Sequence, residues 1–380
     1  MKNKLKVVAD NKIPFLEGVL EPFAEVKYLS PSELNNESIK GTDALIIRTR
    51  TKCDTKLLNG SDVKFIATAT IGFDHIDTQY CDQKNIKWVS APGCNSSSVM
   101  QYISSAFVTI AKKKKLEFNK LTVGIIGVGN VGKKIEKAAR AMGINVLLND
   151  QPRMRAEGKN GFVELNELIK NSNIITFHVP LIKEGIDKTY HMADESFFEK
   201  LNTDKILFNS SRGPVVKTES LKNAIRSKKI SAAVLDVWEN EPEIDKELLG
   251  MVDIATPHIA GYSADGKANG TAMCINEINT FFGLGIDKNW YPNEIPLPSN
   301  NSEIHIECKG KTNQEIISEA VLSTYNVLND DNNLRSSVDT FEKQRGCYPV
   351  RREFPFYKIK LLNDSQRIVE SLLALGFGIL

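Results

Sequence analysis

Short apolar runs alternate with amphipathic stretches along the first two thirds of the chain. Four runs lie within the first hundred residues, at Leu5–Ala9, Ala44–Arg48, Phe65–Thr70 and Trp88–Ser90. Six more follow, at Val123–Gly127, Asn145–Asn149, Ile174–Phe177, Ile206–Asn209, Ala232–Leu235 and Ile254–Ala255. Several of these are apolar at nearly every position, which is typical of parallel strands covered by helices on both faces. The pattern predicts βα units, and residues of about 115–260 match a complete doubly wound domain with six strands.

A different pattern begins after Gly285. Three prolines and a polar run between residues 292 and 302 indicate a linker. Beyond it we predict strands over Ile304–Cys308 and Phe356–Leu361, and helices over Glu315–Leu328, Val338–Arg345 and Ser365–Leu375. This mixture predicts a small α+β module at the C-terminal end.

Composition and charge exclude several classes of protein. The 49 Lys and Arg residues nearly balance the 47 Asp and Glu residues, so no broad positive field favours nucleic acid. The apolar run after the basic N-terminus, Val7–Ala9, is too short for a secretory signal, and no window approaches the roughly 18 apolar residues of a membrane span. The six cysteines are scattered, without metal-like spacing. We therefore expect a packed cytoplasmic protein with reduced thiols, no metal and no membrane partner.

A glycine-rich turn follows the strand predicted at Val123–Gly127. Its pattern is GxGxxG, with Gly127 for the tight turn, Gly129 for approach of a pyrophosphate and Gly132 for close packing of helix and strand. The N–H groups near Asn130 and Val131 would hold the phosphates at a helix N-terminus. The sequence therefore predicts a dinucleotide site at this turn.

An acidic residue at the end of the next strand supports this interpretation. Asp150 lies 23 residues after Gly127, where an acid that accepts from the ribose hydroxyls is expected. A carboxylate there would repel a 2′-phosphate, which favours NAD over NADP. The run from Gly127 to Lys133 also fits GxxxxGK, the phosphate loop of nucleotide hydrolases, but Lys134 stands where Ser or Thr should hold magnesium.

Three polar side chains follow three consecutive predicted strands of the same domain. Arg212, Glu241 and His258 would meet at the carboxyl edge of the sheet, where ligands of open α/β sheets bind. Arg212 can bind a carboxylate, His258 can exchange a hydroxyl proton, and Glu241 can hold the other imidazole nitrogen. A surface salt bridge between Arg212 and Glu241, with a structural His258, is the alternative.

The motifs GIIGVGNVG, NSSRGPVV, LDVWENEP and TPHIAG resemble, in order and spacing, those of the D-2-hydroxyacid dehydrogenases. The resemblance implies that Arg212 binds the substrate carboxylate, Glu241 orients the histidine and His258 is the acid/base, while the nicotinamide of NAD takes the C2 hydride. Residue-by-residue matching also implies cofactor contacts at Gly127, Gly129, Asn130, Val131, Gly132, Asp150, Val179, Ser210, Ser211, Arg212, Asp236 and Gly261.

Three further stretches, at residues 67–75, 90–95 and 347–354, resemble one branch of that family. In this branch an extra C-terminal domain builds a homodimer, and the substrate is a four-carbon phosphorylated 2-hydroxy acid. The resemblance places Thr49, Thr70 and Tyr262 at the substrate, although Thr49 stands where serine is expected. The alternatives are another dehydrogenase of the family, of phosphoglycerate or hydroxypyruvate type, and a non-catalytic NAD sensor like the corepressors that share the fold.

Pattern and resemblance together predict an α/β fold with three parts. A flavodoxin-like, doubly wound substrate domain takes residues 1–95 and 263–285, a Rossmann NAD domain takes 96–262, and an α+β dimerisation domain takes 286–380. A phosphorylated substrate also needs a phosphate anchor, for which Arg48, Arg50 and Lys52 are candidates. We further hypothesise that Arg351 or Arg352 reaches the phosphate, either within one subunit or across the dimer, with an ordinary interface salt bridge as the alternative.

Overall fold

The strands of the computed structural model, which describes residues 4–363 and 368–380, are all short. In chain order they are β1 (Leu5–Asp10), β2 (Ala24–Leu29), β3 (Ala44–Ile47), β4 (Phe65–Thr68), β5 (Lys87–Val89), β6 (Thr122–Ile126), β7 (Asn145–Asn149), β8 (Ile174–Phe177), β9 (Lys205–Asn209), β10 (Ile230–Leu235), β11 (Ile254–Ala255), β12 (Glu303–Glu307), β13 (Lys358–Leu362) and β14 (Gly378–Ile379).

The helices include two long ones of 19 residues each, α3 and α10. In chain order the helices are α1 (Thr55–Leu58), α2 (Thr78–Gln83), α3 (Ser96–Lys114), α4 (Asn130–Ala141), α5 (Gln151–Glu157), α6 (Leu165–Asn171), α7 (Glu195–Glu199), α8 (Thr218–Arg226), α9 (Lys246–Met251), α10 (Ala264–Phe282), α11 (Asn313–Thr324), α12 (Val327–Ser336), α13 (Phe341–Gly346) and α14 (Val369–Leu375).

Two compact units hold these elements. The first takes the chain up to Asn95 together with Ser263–Pro296. Its five strands form one parallel sheet in the order β2-β1-β3-β4-β5, the flavodoxin-like order. Helix α10 returns to this unit and packs its Cys274, Ile275 and Ile278 into the core. The predicted doubly wound fold is confirmed, although β2 lay outside the predicted strands.

The second unit takes Ser96–Tyr262 and the described chain from Leu297 on. Its larger sheet is parallel throughout, in the order β11-β10-β9-β8-β6-β7. All six strands overlap the predicted ones. The direction in which successive strands are added to the sheet reverses between β6 and β8. From β6 the chain adds β7 on one side, and it then returns to add β8, β9, β10 and β11 on the other. Such a switch point leaves a crevice at the carboxyl ends of the strands.

The C-terminal residues share a core with the second unit. A small parallel sheet, β12-β13-β14, lies beside α11 to α14. Helices α11 and α12 pack on α3, and α14 packs on α4. Because of this cover α3 is buried nearly all round, including the polar Ser98, Gln101 and Ser105. The sequence predicted a separate C-terminal domain. In the structure, the described residues from Leu297 on form one compact unit with Ser96–Tyr262. The predicted helix Ser365–Leu375 begins outside the described residues and is observed from Val369.

The returning segment is also longer than predicted, by eleven residues. Ile286 is buried in the core of the first unit. Two side-chain amides of α10 hold the segment: Asn279 exchanges hydrogen bonds with the backbone of Ile286, and Asn276 does so with Trp290. These bonds keep residues 286–296 with the first unit, which ends at Pro296 rather than at the predicted residue 285.

Candidate active site

The glycine turn begins where β6 ends, and two of its glycines are required by sterics. Gly127 has φ +89°, and a Cβ there would lie 2.5 Å from the carbonyl oxygen of His178. A Cβ at Gly132 would lie 2.1 Å from the carbonyl oxygen of Gly127. At Gly129, in contrast, a Cβ would meet nothing within 4 Å. The turn therefore folds tightly and leaves open space at its middle glycine.

The N-terminus of α4 opens directly from this turn. Its first residues are Asn130 and Val131, and Gly129 as the N-cap supplies no side-chain acceptor for their N–H groups. Val179 follows β8 across the switch point, with its Cγ1 2.8 Å from the position that a Cβ of Gly127 would take. The donors, the open space and the neighbouring apolar side chain fit a dinucleotide pyrophosphate.

Asp150 follows β7 and holds the same turn. Its Oδ2 accepts from the N–H of Val128 at 2.8 Å, and its Oδ1 accepts from the N–H of Arg153 at 3.1 Å. Arg153 donates in turn to the carbonyl oxygen of Val128 at 2.9 Å. A carboxylate oxygen can accept a second hydrogen bond, so Asp150 retains capacity for a ribose hydroxyl. Sequence reasoning missed the part that Arg153 plays here.

Glu241 and His258 meet after β10 and β11. Oε2 of Glu241 lies 2.7 Å from Nδ1 of His258, and its Oε1 accepts from the N–H of Trp238 at 2.8 Å. Burial by itself raises the pKa of Glu241. The charge and hydrogen bond of His258, the N–H of Trp238 and the charge of Arg345 together hold that pKa below its ordinary value. An ionised Glu241 accepts from Nδ1–H, which leaves Nε2 of His258 for proton transfer.

The backbone that carries His258 is held by a buried acid. His258 has a backbone φ of +56°, in the left-handed region that residues other than glycine rarely adopt. Asp236, which is 1% exposed, accepts from Thr256 Oγ1 and the N–H of Ile259, both at 2.7 Å, and from the N–H of Ala260 at 2.9 Å. Its two carboxylate oxygens therefore shape the histidine loop, and the contact of Asp236 with the cofactor stays a prediction from the resemblance.

The loop after β9 carries Arg212 and the predicted serines. The amide of Asn209 ties the loop together: its Oδ1 accepts from the N–H and hydroxyl of Ser211, and its Nδ2 donates to the carbonyl oxygen of Arg212. Nη1 of Arg212 donates to the carbonyl oxygen of Ser211 at 2.8 Å. The hydroxyl oxygen of Ser210 is buried without a hydrogen-bond partner among the described residues. An orphaned hydroxyl in this loop fits a bound polar ligand.

Gly213 brings the arginine loop against the loop that carries Glu241. A Cβ at Gly213 would lie 1.8 Å from the carbonyl oxygen of Trp238. No other residue type permits this backbone approach, so the position next to Arg212 must be glycine. The motif NSSRGPVV contains this glycine, but the sequence pattern gave no reason to assign it a role.

Tyr262 follows Gly261 at the end of the histidine loop. Its N–H donates to the carbonyl oxygen of Ile259 at 2.8 Å, and its ring meets the ring of Tyr348 edge-on with centroids 5.8 Å apart. The guanidinium of Arg345 also lies over the Tyr262 ring, at 5.8 Å. Two side chains of the C-terminal residues therefore contact the residue predicted to touch the substrate.

The remaining predicted substrate residues lie in the first unit. Thr49 is exposed after β3, and Thr70 follows β4 with its hydroxyl 2.8 Å from that of Thr68. Arg48 makes a two-pronged ion pair with the buried Asp10, at 2.9 and 3.0 Å. Lys52 is exposed and lies 3.4 Å from Asp54.

The structure places Arg351, one of the two residues hypothesised to reach the phosphate, against the histidine loop. Arg351 is only 5% exposed, and its Nη2 donates to the carbonyl oxygens of Ile259 at 3.2 Å and Ala260 at 2.6 Å. Its guanidinium is thus committed to the histidine loop. Arg352 lies with its guanidinium 4.2 Å from the centroid of the Phe356 ring.

Comparison with known proteins agrees with this geometry. Residues 100–260 match the D-isomer specific 2-hydroxyacid dehydrogenase NAD binding domain, and residues 297–376 match a domain of unknown function, DUF3410. The chain is 49% identical over 356 residues to erythronate-4-phosphate dehydrogenase of Bacteroides thetaiotaomicron. The aligned residues cover 93% of this chain and 99% of the relative. The enzyme of that name from Porphyromonas gingivalis is 40% identical, covering 93% and 95%.

The chain belongs to the erythronate-4-phosphate dehydrogenase family. Among solved structures it resembles a D-lactate dehydrogenase of Aquifex aeolicus complexed with NAD and lactic acid, with a TM-score of 0.60 and 26% identity, covering 73% of this chain and 95% of that one. The matched NAD binding domain contains the glycine turn, Asp150 and all three predicted catalytic residues. The predictions of an NAD-dependent oxidoreductase and of NAD as cofactor are therefore confirmed.

No helix in residues 4–363 and 368–380 has the length and apolar character that a membrane crossing requires. Within those ranges, no cluster of three or more His, Cys, Asp or Glu side chains is placed to bind a metal ion.

Proposed function

We propose that the protein oxidises 4-phospho-D-erythronate to 2-oxo-3-hydroxy-4-phosphobutanoate with NAD, as a step of pyridoxal 5′-phosphate biosynthesis. The family assignment supports this substrate over phosphoglycerate and hydroxypyruvate. It also supports an enzyme over a non-catalytic NAD sensor. The observation that carries the chemistry is the 2.7 Å contact between Glu241 and Nδ1 of His258. It leaves one imidazole nitrogen of His258 to exchange a proton.

The proposed reaction divides its work among three side chains. Arg212 binds the substrate carboxylate and fixes C2 in place. Nε2 of His258 removes the proton of the C2 hydroxyl, and Glu241 stabilises the imidazolium that forms. NAD, when bound at the glycine turn, supplies the acceptor for the C2 hydride. Thr49, Thr70 and Tyr262 stay proposed as substrate contacts.

The experiment that tests this function measures NADH formation with purified protein. The panel contains 4-phospho-D-erythronate, D-erythronate, 3-phospho-D-glycerate and D-glycerate, each assayed in single-turnover and steady-state conditions. The single-turnover assay detects hydride transfer even where NADH does not leave the protein. We expect the largest kcat/KM for 4-phospho-D-erythronate. A larger value for 3-phospho-D-glycerate would assign the neighbouring activity, and tight NAD binding without NADH formation from any acid would support a sensor.

We also propose a homodimer formed through the C-terminal residues. Six large apolar side chains of the described C-terminal residues are exposed, namely Leu297, Leu328, Val350, Leu362, Leu373 and Leu380. A second copy would cover such a surface at little cost in polar desolvation. The cytoplasm is the proposed compartment because all six cysteines are free thiols, five of them buried.

A further inference from the structure

A loop at residues 347–353, between α13 and β13, reaches the backbone that carries His258. Arg351 projects from this loop and is 5% exposed. Its Nη2 contacts the carbonyl oxygens of Ile259 and Ala260 and the hydroxyl oxygen of Ser98. The Ser98 hydroxyl itself donates to Ala260 at 3.0 Å. The carbonyl oxygens of the two residues that follow His258 therefore accept from a buried cation.

The N–H groups of the same two residues are bound by a buried anion. Asp236 accepts from the N–H groups of Ile259 and Ala260, as described above. The histidine loop thus lies between a carboxylate that takes its N–H groups and a guanidinium that takes its carbonyl groups. Because His258 itself sits at φ +56°, its backbone needs bonds from outside to hold that conformation.

Arg351 is in turn held rigidly by other C-terminal residues. Its guanidinium lies 4.5 Å from the centroid of the Tyr325 ring. The hydroxyls of Tyr325 and Tyr348 both donate to Oδ2 of Asp330 at 2.7 Å, so a buried acid fixes both rings. Tyr348 also packs edge-on against Tyr262. The C-terminal residues therefore support both ends of the segment from His258 to Tyr262.

We infer that Arg351 is a positioning residue for the reaction: it holds the loop that aims His258 at the substrate hydroxyl. The C-terminal domain would then complete the active-site architecture in addition to any role in assembly. This inference rests on the proposed catalytic role of His258. Displacement of an acid/base group by about 1 Å can cost about 10²-fold in rate, so a modest shift of this loop has a measurable effect.

The test compares Arg351→Met and Arg351→Lys with a matched control, Arg335→Met. Arg335 also belongs to the C-terminal residues, and it donates to the carbonyl oxygens of Leu249 and Val252, away from the histidine loop. For each variant, kcat, the KM of the phosphorylated acid, NAD affinity and the thermal midpoint are measured. We expect Arg351→Met to lose about 10²-fold in kcat with NAD affinity unchanged, and Arg351→Lys to retain part of the activity.

The outcomes separate positioning from general stability. Arg335→Met should keep wild-type kcat even where its thermal midpoint falls as far as that of Arg351→Met. Equal kcat for the two methionine variants would overturn the inference. If Arg351→Met fails to bind NAD, Arg351→Lys decides: a lower kcat with intact NAD affinity supports the inference, and an unchanged kcat overturns it.

His258→Ala is assayed in the same series to separate the two proposals. If His258→Ala retains turnover, the proposed function has failed. If His258→Ala is inactive while Arg351→Met keeps full kcat, the proposed function stands and the positioning role of Arg351 has failed.

Discussion

Glu241 holds His258 through a single contact of 2.7 Å between Oε2 and Nδ1. A second pair in the same unit has the same length: His191 Nε2 lies 2.7 Å from Oε1 of Glu239, two residues before Glu241. The two glutamates are equally exposed, at 19% of their side chains. The chain therefore contains its own control for the proposed catalytic pair.

Glu241→Gln should lower kcat by about 10²- to 10⁴-fold, because the amide cannot stabilise an imidazolium as the carboxylate does. NAD affinity should persist, since the glycine turn lies elsewhere in the unit. Glu239→Gln alters a His–Glu contact of the same length and should leave kcat within a factor of about three. Equal losses in both variants would contradict the assignment of Glu241.

The stability difference between wild type and Glu241→Gln should depend on pH. The pKa of Glu241 in the folded state lies below its ordinary value of 4.5. The ionised carboxylate therefore stabilises the fold above the unfolded-state pKa, and this contribution is lost as pH falls through the folded-state pKa. Urea unfolding at several pH values should show the difference shrinking below pH 4.5. A difference that grows in acid would argue against an ionised Glu241.

Gly213→Ala should destabilise the protein and abolish activity together. The added Cβ would lie 1.8 Å from the Trp238 carbonyl oxygen, so the two loops must separate. We expect a loss of about 3 kcal/mol in the free energy of unfolding. The control is Gly250→Ala, because Gly250 lies in α9 with open space around a Cβ. That variant should be as stable as wild type or more so, and a comparable loss there would discount the clash at Gly213.

Asp150→Ala should weaken NAD binding and narrow the preference for NAD over NADP. The substitution frees the N–H of Val128 in the glycine turn and removes the charge that repels a 2′-phosphate. It also removes the cap of α5, at a cost of about 1 kcal/mol. Asp194→Ala removes the equivalent cap of α7 and serves as the control. Calorimetric titration should find NAD affinity lowered only for Asp150→Ala.

Leu373→Glu should weaken the proposed homodimer. Leu373 lies on α14 with 51% of its surface exposed, and a charge there would oppose burial against a second copy. Ile186→Glu, at a position 85% exposed in the second unit, is the control. Light scattering across a concentration series should find a monomer only for Leu373→Glu. A monomeric wild-type protein would reject the homodimer itself.

Local pattern predicted much of the site because its determinants are local. The strand at Thr122–Ile126, the glycines after it and Asp150 follow one another in the order that a βα unit imposes. Arg212, Glu241 and His258 each follow a strand, and parallel strands deliver such residues to one edge. The structure accordingly brings Glu241 and His258 into contact.

What pattern missed depends on partners distant in sequence. Arg351 looked like a free cation in a polar loop, yet it lies against Ile259 and Ala260, about ninety residues earlier in the chain. Arg48 looked like a phosphate anchor and instead pairs with Asp10. Neither partner can be identified from charge or spacing, because many acids and carbonyl groups in the chain would satisfy a guanidinium equally well.

By itself the sequence determined the fold class, the glycine turn and the placement of Glu241 and His258 after their strands, since each is set by the order of residues along one strand and the turn that follows it. Only the tertiary structure decided that Asp236 would bind the N–H groups of the histidine loop and Arg351 its carbonyl groups. The physical reason is burial: a carboxylate and a guanidinium removed from water must find hydrogen-bond partners, and packing determines which partners are within reach.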